Sequence, residues 1–240
     1  MKFRPIIAAV AWLATASALA APADTIKQNV EAMTGGQVTV QRVQQTPAQG
    51  IYEVLSDGEI FYTDATGRFG IVGGALVDMQ TQTDLTSREM DKLTAIPFDA
   101  LPLEHAISKD VHGDGSRQMA LFEDPNCPVC RVFTKFVDQL DDVTIYRIPY
   151  PVISPESQTL AKVAWCSSDR AGAWRALMNG QRFDGPQDCD ITGLVAILKF
   201  GDKHRINATP TVFLGNGKRL VGATPPDQFI EELDASARPN

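Results

Sequence analysis

The sequence predicts an α+β protein with a small N-terminal β-meander, a connecting helix and a C-terminal α/β domain that carries a helical insertion. Short β-type runs separated by turn residues fill the chain from residue 37 to about residue 79. A polar helical segment follows, and strands and helices alternate from about residue 103, which is typical of an α/β layer. We therefore expect two domains, 21–80 and 101–240, joined by a linker helix at 81–100.

Residues 1–20 have the pattern of a removable secretory signal peptide. Lys2 and Arg4 precede an apolar run at 6–13, and Ala18-Leu19-Ala20 is a small-x-small cleavage pattern. An uncleaved anchor is the less favoured alternative, because this run is shorter than the roughly 20 residues of a membrane-spanning helix. Cleavage after Ala20 would leave 220 residues and, by removing the two cations, change the net charge from −7 to −9. Such an acidic product argues against nucleic-acid or anionic-membrane binding, and we expect no stable membrane insertion.

The N-terminal domain is predicted to be a short helix followed by a four-stranded meander. The helix is expected at 25–33, and the strands at 38–43, 51–55, 60–62 and 69–72. Fewer than 70 residues bury little apolar core, and a partner subunit often completes units of this size. We therefore expect a dimerisation domain here. The polar segment 80–93 predicts the connecting helix, which ends before Pro97.

The most informative feature is Cys127-Pro128-Val129-Cys130, two cysteines separated by two residues. Residues 119–124 predict a buried strand, and the apolar spacing after Cys127 predicts an amphipathic helix with Cys127 at its N-cap. The free N–H groups and dipole of a helix N-terminus stabilise a thiolate, which is the form that attacks disulfides. We expect Cys127 to be an exposed nucleophile of low pKa, and Cys130 to be the resolving thiol one turn further on.

A structural disulfide and half of a zinc site are the alternative interpretations of this pair. A zinc site needs a second close pair of cysteines or histidines, whereas Cys166 and Cys189 are far apart. His105, His112 and His204 are isolated in sequence, so we expect surface or locally hydrogen-bonded histidines. We therefore predict no metal and no cofactor.

After the cysteine pair, the pattern continues with a second strand at 143–149, parallel to the first through a crossover. A helical block at 154–200 is longer than a minimal crossover and is predicted to be an insertion. A closing hairpin is expected around Gly215-Asn216-Gly217, followed by a final helix at 226–233.

Cys166 and Cys189 lie in the helical block and are the natural second pair. Disulfides persist in exported proteins, and closing the intervening loop of 22 residues would stabilise the fold by about 3 kcal/mol. A disulfide between helices is the favoured interpretation, with two unpaired thiols as the alternative.

Thr209-Pro210 is the second chemical signal, between a polar loop and an apolar strand. A proline at the first residue of a strand is ordinary. In a thioredoxin-type fold, however, a cis proline is expected beside the cysteine pair, and only an X-Pro bond makes the cis form inexpensive. Cis geometry would leave the backbone of Thr209 free to pair with an extended substrate. We therefore predict that Thr209 and Pro210 bind substrate.

Together these features resemble the DsbC/DsbG family of bacterial periplasmic thiol:disulfide interchange proteins. The resemblance covers essentially the whole mature chain. It depends on the signal peptide, the N-terminal β domain, the connecting helix, segment 122–130, Ala164-Trp165-Cys166, Cys189-Asp190 and Thr209-Pro210-Thr211. A CxxC motif alone would be only moderately specific, and the combination is much more so.

The resemblance implies a cystatin-like N-terminal domain that joins two chains into a V-shaped homodimer, and a thioredoxin-like catalytic domain. It implies that misfolded, disulfide-containing exported proteins are the substrates and that a DsbD-type membrane reductase is the electron donor in the periplasm. Cys127 would attack a wrong disulfide, and Cys130 would provide escape when no rearrangement occurs. By the same resemblance, Cys166 and Cys189 match the structural disulfide of the family.

Four residues in and before the pair depart from the family or leave its chemistry open. Val129 stands where tyrosine is common, and Pro128 is closer to the DsbG-like branch, which suits reduction of sulfenic acids. Glu123 and Asp124 are candidates for tuning the pair or for a proton relay, or else are solvated residues at a strand end. The alternative functions are a DsbG-like reductase of sulfenic-acid cysteines, a redox-independent holdase chaperone, and a monomeric DsbA-like oxidase.

Overall fold

A computed structural model describes residues 22–237. The predicted signal peptide therefore lies outside the described residues. These residues divide into two compact units, 22–87 and 88–237.

The N-terminal unit is the predicted helix and antiparallel meander. Its elements are α1 (Pro22–Met33), β1 (Val40–Gln45), β2 (Ile51–Ser56), β3 (Glu59–Asp64) and β4 (Gly70–Ile71). Each strand pairs with the next in the order β1-β2-β3-β4. Asp57 and Gly58, between β2 and β3, both have positive φ, as a two-residue hairpin turn with right-handed strand twist requires. One face packs against α1 around Ile26, Val30 and Val54.

The segment after the meander differs from its prediction as one helix over 80–93. Two short strands, β5 (Val77–Asp78) and β6 (Thr83–Asp84), pair with each other, and α2 (Leu85–Thr94) follows. The Asp78 carboxylate accepts backbone N–H bonds from Gln80 at 2.9 Å and Thr81 at 3.2 Å, which favours a turn over a helix at these residues. The helix begins only after Asp84, whose carboxylate accepts the N–H of Ser87 at 2.9 Å.

The C-terminal unit is built on a five-stranded sheet in the order β11-β10-β8-β9-β7. Its strands are β7 (Ser108–His112), β8 (Arg117–Glu123), β9 (Val143–Pro149), β10 (Thr211–Leu214) and β11 (Arg219–Val221). The pair β8 and β9 is parallel, as predicted, and the hairpin of β10 and β11 closes the sheet. The edge strand β7 was not predicted, because its sequence is polar except for Val111, which is exposed.

Helices cover both faces of this sheet. They are α3 (Pro128–Val137), α4 (Pro155–Cys166), α5 (Arg170–Met178), α6 (Thr192–Lys203) and α7 (Pro226–Ser236). Alternate residues of β8 enter the two cores: Met119 and Leu121 pack with Phe133 of α3 and Phe229 of α7, whereas Ala120 and Phe122 join the core formed with α4, α5 and α6. The cysteine pair thus lies at the carboxyl end of a strand that is buried on both faces.

The predicted helical insertion consists of α4, α5 and α6. Trp165 and Trp174 of this block are both buried. None of the helices within residues 22–237 has the length and apolar character needed to cross a membrane.

Candidate active site

Cys127 is the N-cap of α3, as the sequence predicts. Its backbone is extended, and its sulfur accepts a hydrogen bond from the backbone N–H of Cys130, with N and Sγ 3.0 Å apart. Pro128 occupies the first helical position, where its missing N–H costs nothing. This geometry places Sγ at the positive end of the helix dipole.

Thr209 and Pro210 lie beside Cys127. The Thr209–Pro210 peptide bond is cis, as predicted. The Cys127 thiol donates to the carbonyl oxygen of Thr209 at 3.3 Å. Among the described residues, no hydrogen bond uses the backbone N–H of Thr209, so its backbone retains a donor for an incoming chain.

The two thiols differ strongly in acidity. The pKa of Cys127 is lowered to about 6, chiefly because the Cys130 side chain hydrogen-bonds to the Cys127 sulfur. The Thr209 side chain and the Cys130 N–H add to this, against burial and the charge of Asp124. The pKa of Cys130 is raised, first by burial and then by its hydrogen bond to Cys127. At neutral pH the pair therefore consists of one thiolate and one thiol.

The predicted exposure of Cys127 is wrong. Only 3% of Cys127 is exposed, and Cys130 is equally buried. The loop at Thr209 covers the sulfur, a contact between residues 82 apart in sequence that local pattern does not reveal. The exposed rim is apolar instead: Val129, Val132, Val152 and Ile153 are all exposed.

Asp124 holds the turn that leads into Cys127. One carboxylate oxygen accepts from the N–H of Asn126 at 2.8 Å and from Ser157 Oγ at 2.7 Å. The other accepts from the N–H groups of Val152 and Ile153 at 2.8 and 2.9 Å. The side chain is fully buried, so the solvated alternative is wrong for this residue.

Glu123 is also fully buried and is the centre of a second polar network. Its carboxylate accepts from Trp174 Nε1 at 2.6 Å and from Thr134 Oγ1 at 2.9 Å, and Arg147 Nη1 lies 3.6 Å away. Burial raises the pKa of Glu123, while the charge of Arg147 and both hydrogen bonds lower it. Because Thr134 is on α3 and Trp174 on α5, Glu123 ties both helices to the end of β8.

Cys166 and Cys189 form a disulfide, with Cα atoms 5.6 Å apart. The adjacent Trp165 Nε1 donates to the carbonyl of Asp190 at 3.0 Å. Cys127 and Cys130 are both free thiols, so the structure contains the pairing that the sequence favours. Within residues 22–237, no group of three His, Cys, Asp or Glu side chains is placed to hold a metal ion.

Sequence reasoning missed two arginines at the active-site turn. Arg182 Nη2 donates to Asn126 Oδ1 at 2.8 Å and to Pro125 O at 3.2 Å, and Arg131 Nη1 donates to the same carbonyl at 3.3 Å. No periodicity or motif connects Arg182 with a turn 56 residues earlier. Only the packing of the helical insertion shows this contact.

The acidity of Cys127 gives a pH prediction. We expect alkylation of the reduced protein by iodoacetamide to be half-maximal near pH 6, well below the value of about 8.5 for an ordinary thiol. Replacing Cys130 with Ala removes the main stabilising donor and should raise the midpoint by roughly one unit. The rate is followed by mass spectrometry of the Cys127 peptide; a wild-type midpoint above pH 8 would contradict the assignment.

Both parts of the chain match known protein families. Residues 104–237 match a thioredoxin-like domain, and residues 16–87 match the N-terminal domain of disulfide bond isomerase proteins. The probable thiol:disulfide interchange protein DsbC of Bordetella parapertussis is 37% identical over 213 residues, 88% of this chain and 74% of the relative. DsbC of Dickeya dadantii is 24% identical over 98% of this chain and 96% of the relative.

A solved structure supports the fold of the C-terminal unit. The crystal structure of a disulfide interchange protein from Neisseria gonorrhoeae superimposes with a TM-score of 0.52 at 31% identity, covering 57% of this chain and 99% of that one. These matches confirm the resemblance found in the sequence and the predicted fold class. The chain belongs to the DsbC family of thiol:disulfide interchange proteins.

Proposed function

We propose that Cys127 and Cys130 are the redox pair of an isomerase and reductase that corrects wrong disulfides in exported proteins. The observation that carries this proposal is the geometry of the pair: both thiols are free, and Cys127 Sγ accepts the Cys130 N–H at the N-cap of α3, 3.0 Å away. In agreement with this geometry, the pKa of Cys127 is lowered and that of Cys130 is raised. An isomerase must begin with a thiolate, and Cys127 is a thiolate at neutral pH. The buried Cys130 keeps its proton while the attack takes place.

The chemistry begins when the Cys127 thiolate attacks one sulfur of a substrate disulfide. A Cys127–substrate disulfide forms, and the other substrate sulfur leaves as a thiolate. That thiolate attacks a different disulfide of the substrate, and a substrate thiolate finally displaces Cys127, so the enzyme emerges reduced. If no rearrangement follows, Cys130 loses its proton and attacks Cys127 Sγ. The Cys127–Cys130 disulfide then forms, and the substrate leaves as a dithiol.

The surroundings of Cys127 suit an extended, partly unfolded chain. The free N–H of Thr209, and its carbonyl once Cys127 has lost its proton, are a donor and an acceptor that an added strand can pair with. The exposed rim of Val129, Val132, Val152 and Ile153 gives apolar side chains of such a substrate a surface to cover. Thr209 and Pro210 are therefore our proposed substrate-binding residues.

We expect that Cys127→Ser abolishes recovery of activity from a scrambled multi-disulfide substrate in a glutathione buffer, because the attacking sulfur is lost. Cys130→Ser should retain part of the activity, because isomerisation without escape needs only Cys127. Wild type alkylated before the assay is the matched control. No recovery with the reduced wild type would contradict isomerisation.

The same variants test two other activities. Pro128, shared with the DsbG-like branch, favours reduction of sulfenic acids, in which Cys127 attacks the oxidised sulfur, water leaves and Cys130 resolves the mixed disulfide. Loss of a sulfenic-acid probe with the wild type but not with Cys127→Ser would support that activity. A holdase chaperone would instead suppress aggregation equally well in both proteins.

We further propose that the N-terminal unit forms a homodimer. Its main apolar core contains only four buried residues, Ile26, Val30, Val40 and Val54. The segment from β4 to β5 leaves large apolar side chains exposed, with Val72 at 81% and Met79 at 83%. The edge strand β4 pairs on one side only. A second copy would cover these groups and complete an undersized domain.

The dimer proposal predicts sedimentation at twice the mass of the chain. Ile71→Asp with Val72→Asp should raise the dissociation constant by at least about 30-fold, since a desolvated interface charge costs 2 kcal/mol or more. Val111→Asp is the control, because Val111 is as exposed as Ile71 but lies on the C-terminal unit, and it should sediment like the wild type. Monomeric wild type at micromolar concentration would overturn the proposal.

Export to the periplasm and reduction by a DsbD-type membrane protein complete the proposed cycle. The leader pattern of residues 1–20 and the family support export. Escape through Cys130 leaves the pair oxidised, so continued isomerisation needs a source of electrons. Thiol trapping in periplasmic extracts should find Cys127 and Cys130 reduced when that donor is present and oxidised when it is deleted.

A further inference from the structure

Arg182 connects the helical insertion with the turn that presents Cys127. Its guanidinium donates to Asn126 Oδ1 at 2.8 Å and to Pro125 O at 3.2 Å. These two residues immediately precede Cys127. The contact joins residues that are 56 and 57 apart in sequence, and Arg182 forms no ion pair with the described residues.

Asn126 is held from both sides. Its amide nitrogen donates to Ser154 Oγ and to Glu156 Oε2, both at 3.2 Å, while its amide oxygen accepts from Arg182. Arg131 adds one donor to Pro125 O at 3.3 Å. Without Arg182, Asn126 Oδ1 has no donor among the described residues, and Pro125 O keeps only Arg131. Arg182 thus connects the turn at Pro125 and Asn126 to the helical insertion.

Arg182 itself lies on a segment with few restraints. None of the backbone hydrogen bonds in the described chain involves residues 183–188. Phe183 is partly buried against the core, and Gly185 sits so close to α4 that an added Cβ would lie 2.8 Å from Val163 Cγ1. The next covalent restraint is the Cys166–Cys189 disulfide, which limits how far the segment can leave α4.

We propose that Arg182 is a positioning residue for Cys127, and that the Cys166–Cys189 disulfide keeps it in place. This inference rests on the proposed function of Cys127 as the attacking thiolate. Arg182 restrains the turn so that Cys127 Sγ stays at the N-cap, 3.0 Å from the N–H of Cys130.

The charged and titratable groups around Cys127 act in both directions. They are Cys130 and Arg131 on α3, Asp124 at the end of β8, Glu156 on α4 reached through Asn126, and Arg182. Of these groups, Cys130 favours the thiolate through its hydrogen bonds, and the charge of Asp124 disfavours it. Loss of Arg182 therefore removes the donor to Asn126 Oδ1 and one of the two donors to Pro125 O, and with them a restraint on the position of Cys127 Sγ.

The test is the pH dependence of Cys127 alkylation by iodoacetamide, measured on the Cys127 peptide by mass spectrometry. Arg182→Gln should slow alkylation at pH 6 by up to about threefold and move the midpoint upward, the range for a weakened interaction of the thiolate with the helix N-terminus. Arg170→Gln is the matched control, because Arg170 lies on the same disulfide-closed segment over the Trp165 ring. The control should leave the profile unchanged.

Combined substitutions test the role of the disulfide. Cys166→Ser with Cys189→Ser should slow alkylation to the same extent, and adding Arg182→Gln to that pair should produce no further slowing. Circular dichroism checks that each variant is folded. If the double variant does not fold, Gly185→Val displaces the segment from Val163 with the disulfide intact and should give the same slowing.

Two results would overturn the inference: an unchanged profile in folded Arg182→Gln, or a full additional slowing when Arg182→Gln is added to the disulfide-free protein. The second would mean that Phe183 alone holds the segment. A separate experiment tests the proposed function. If the wild type does not isomerise scrambled substrate, that function fails, whatever the alkylation profile of the variants.

Discussion

The geometry of the site depends on the buried carboxylate of Asp124. It accepts hydrogen bonds from the turn before Cys127, from the loop after β9 and from Ser157 on α4. A buried charge is tolerated only when it is fully hydrogen-bonded, and here four donors satisfy both oxygens. One side chain therefore fixes the relation between the strand end, the N-terminus of α3 and the start of the helical insertion.

This anchor has an electrostatic cost for catalysis. The charge of Asp124 and the burial of Cys127 both disfavour the thiolate. The Cys130 thiol, the Thr209 side chain and the N-cap hydrogen bond outweigh them, so the pKa of Cys127 still falls to about 6. Rigidity and reactivity are supplied by different groups: carboxylates inside the fold hold the backbone, and donors at the helix N-terminus stabilise the reacting sulfur.

Glu123, the residue before Asp124, is also a buried carboxylate whose two oxygens both accept hydrogen bonds. Arg147 reaches Glu123, Asp110 and Asp138, and these carboxylates together outweigh the effect of burial, so the pKa of Arg147 is raised. A charged arginine in this core is thus balanced by several carboxylates. The network links β7, β9, α3 and α5 behind the cysteine pair.

Much of the site was predictable because its signals are local. Cys127 as N-cap follows from the turn residues before it and the helical spacing after it, and Thr209-Pro210 stands out at the start of an apolar strand. Burial of Cys127, Glu123 and Asp124 was not predictable, because their covering groups come from distant parts of the chain. The same holds for Arg182, and for the polar edge strand β7, which lacks an apolar alternation. The helix predicted over 80–93 begins only at Leu85, after the cap at Asp84. Hydrogen bonds from side chains to nearby N–H groups set this boundary, and the composition of the segment does not show them.

The central claim is that Cys127 is the sulfur that attacks substrate. The most direct measurement is to incubate the Cys130→Ala protein, which cannot resolve a mixed disulfide, with a disulfide-bonded peptide and to locate the adduct by mass spectrometry after digestion. The account predicts a mixed disulfide on Cys127, with Cys166 and Cys189 still joined to each other. An adduct on Cys166 or Cys189, or a protein with no adduct at Cys127 at neutral pH, would contradict it.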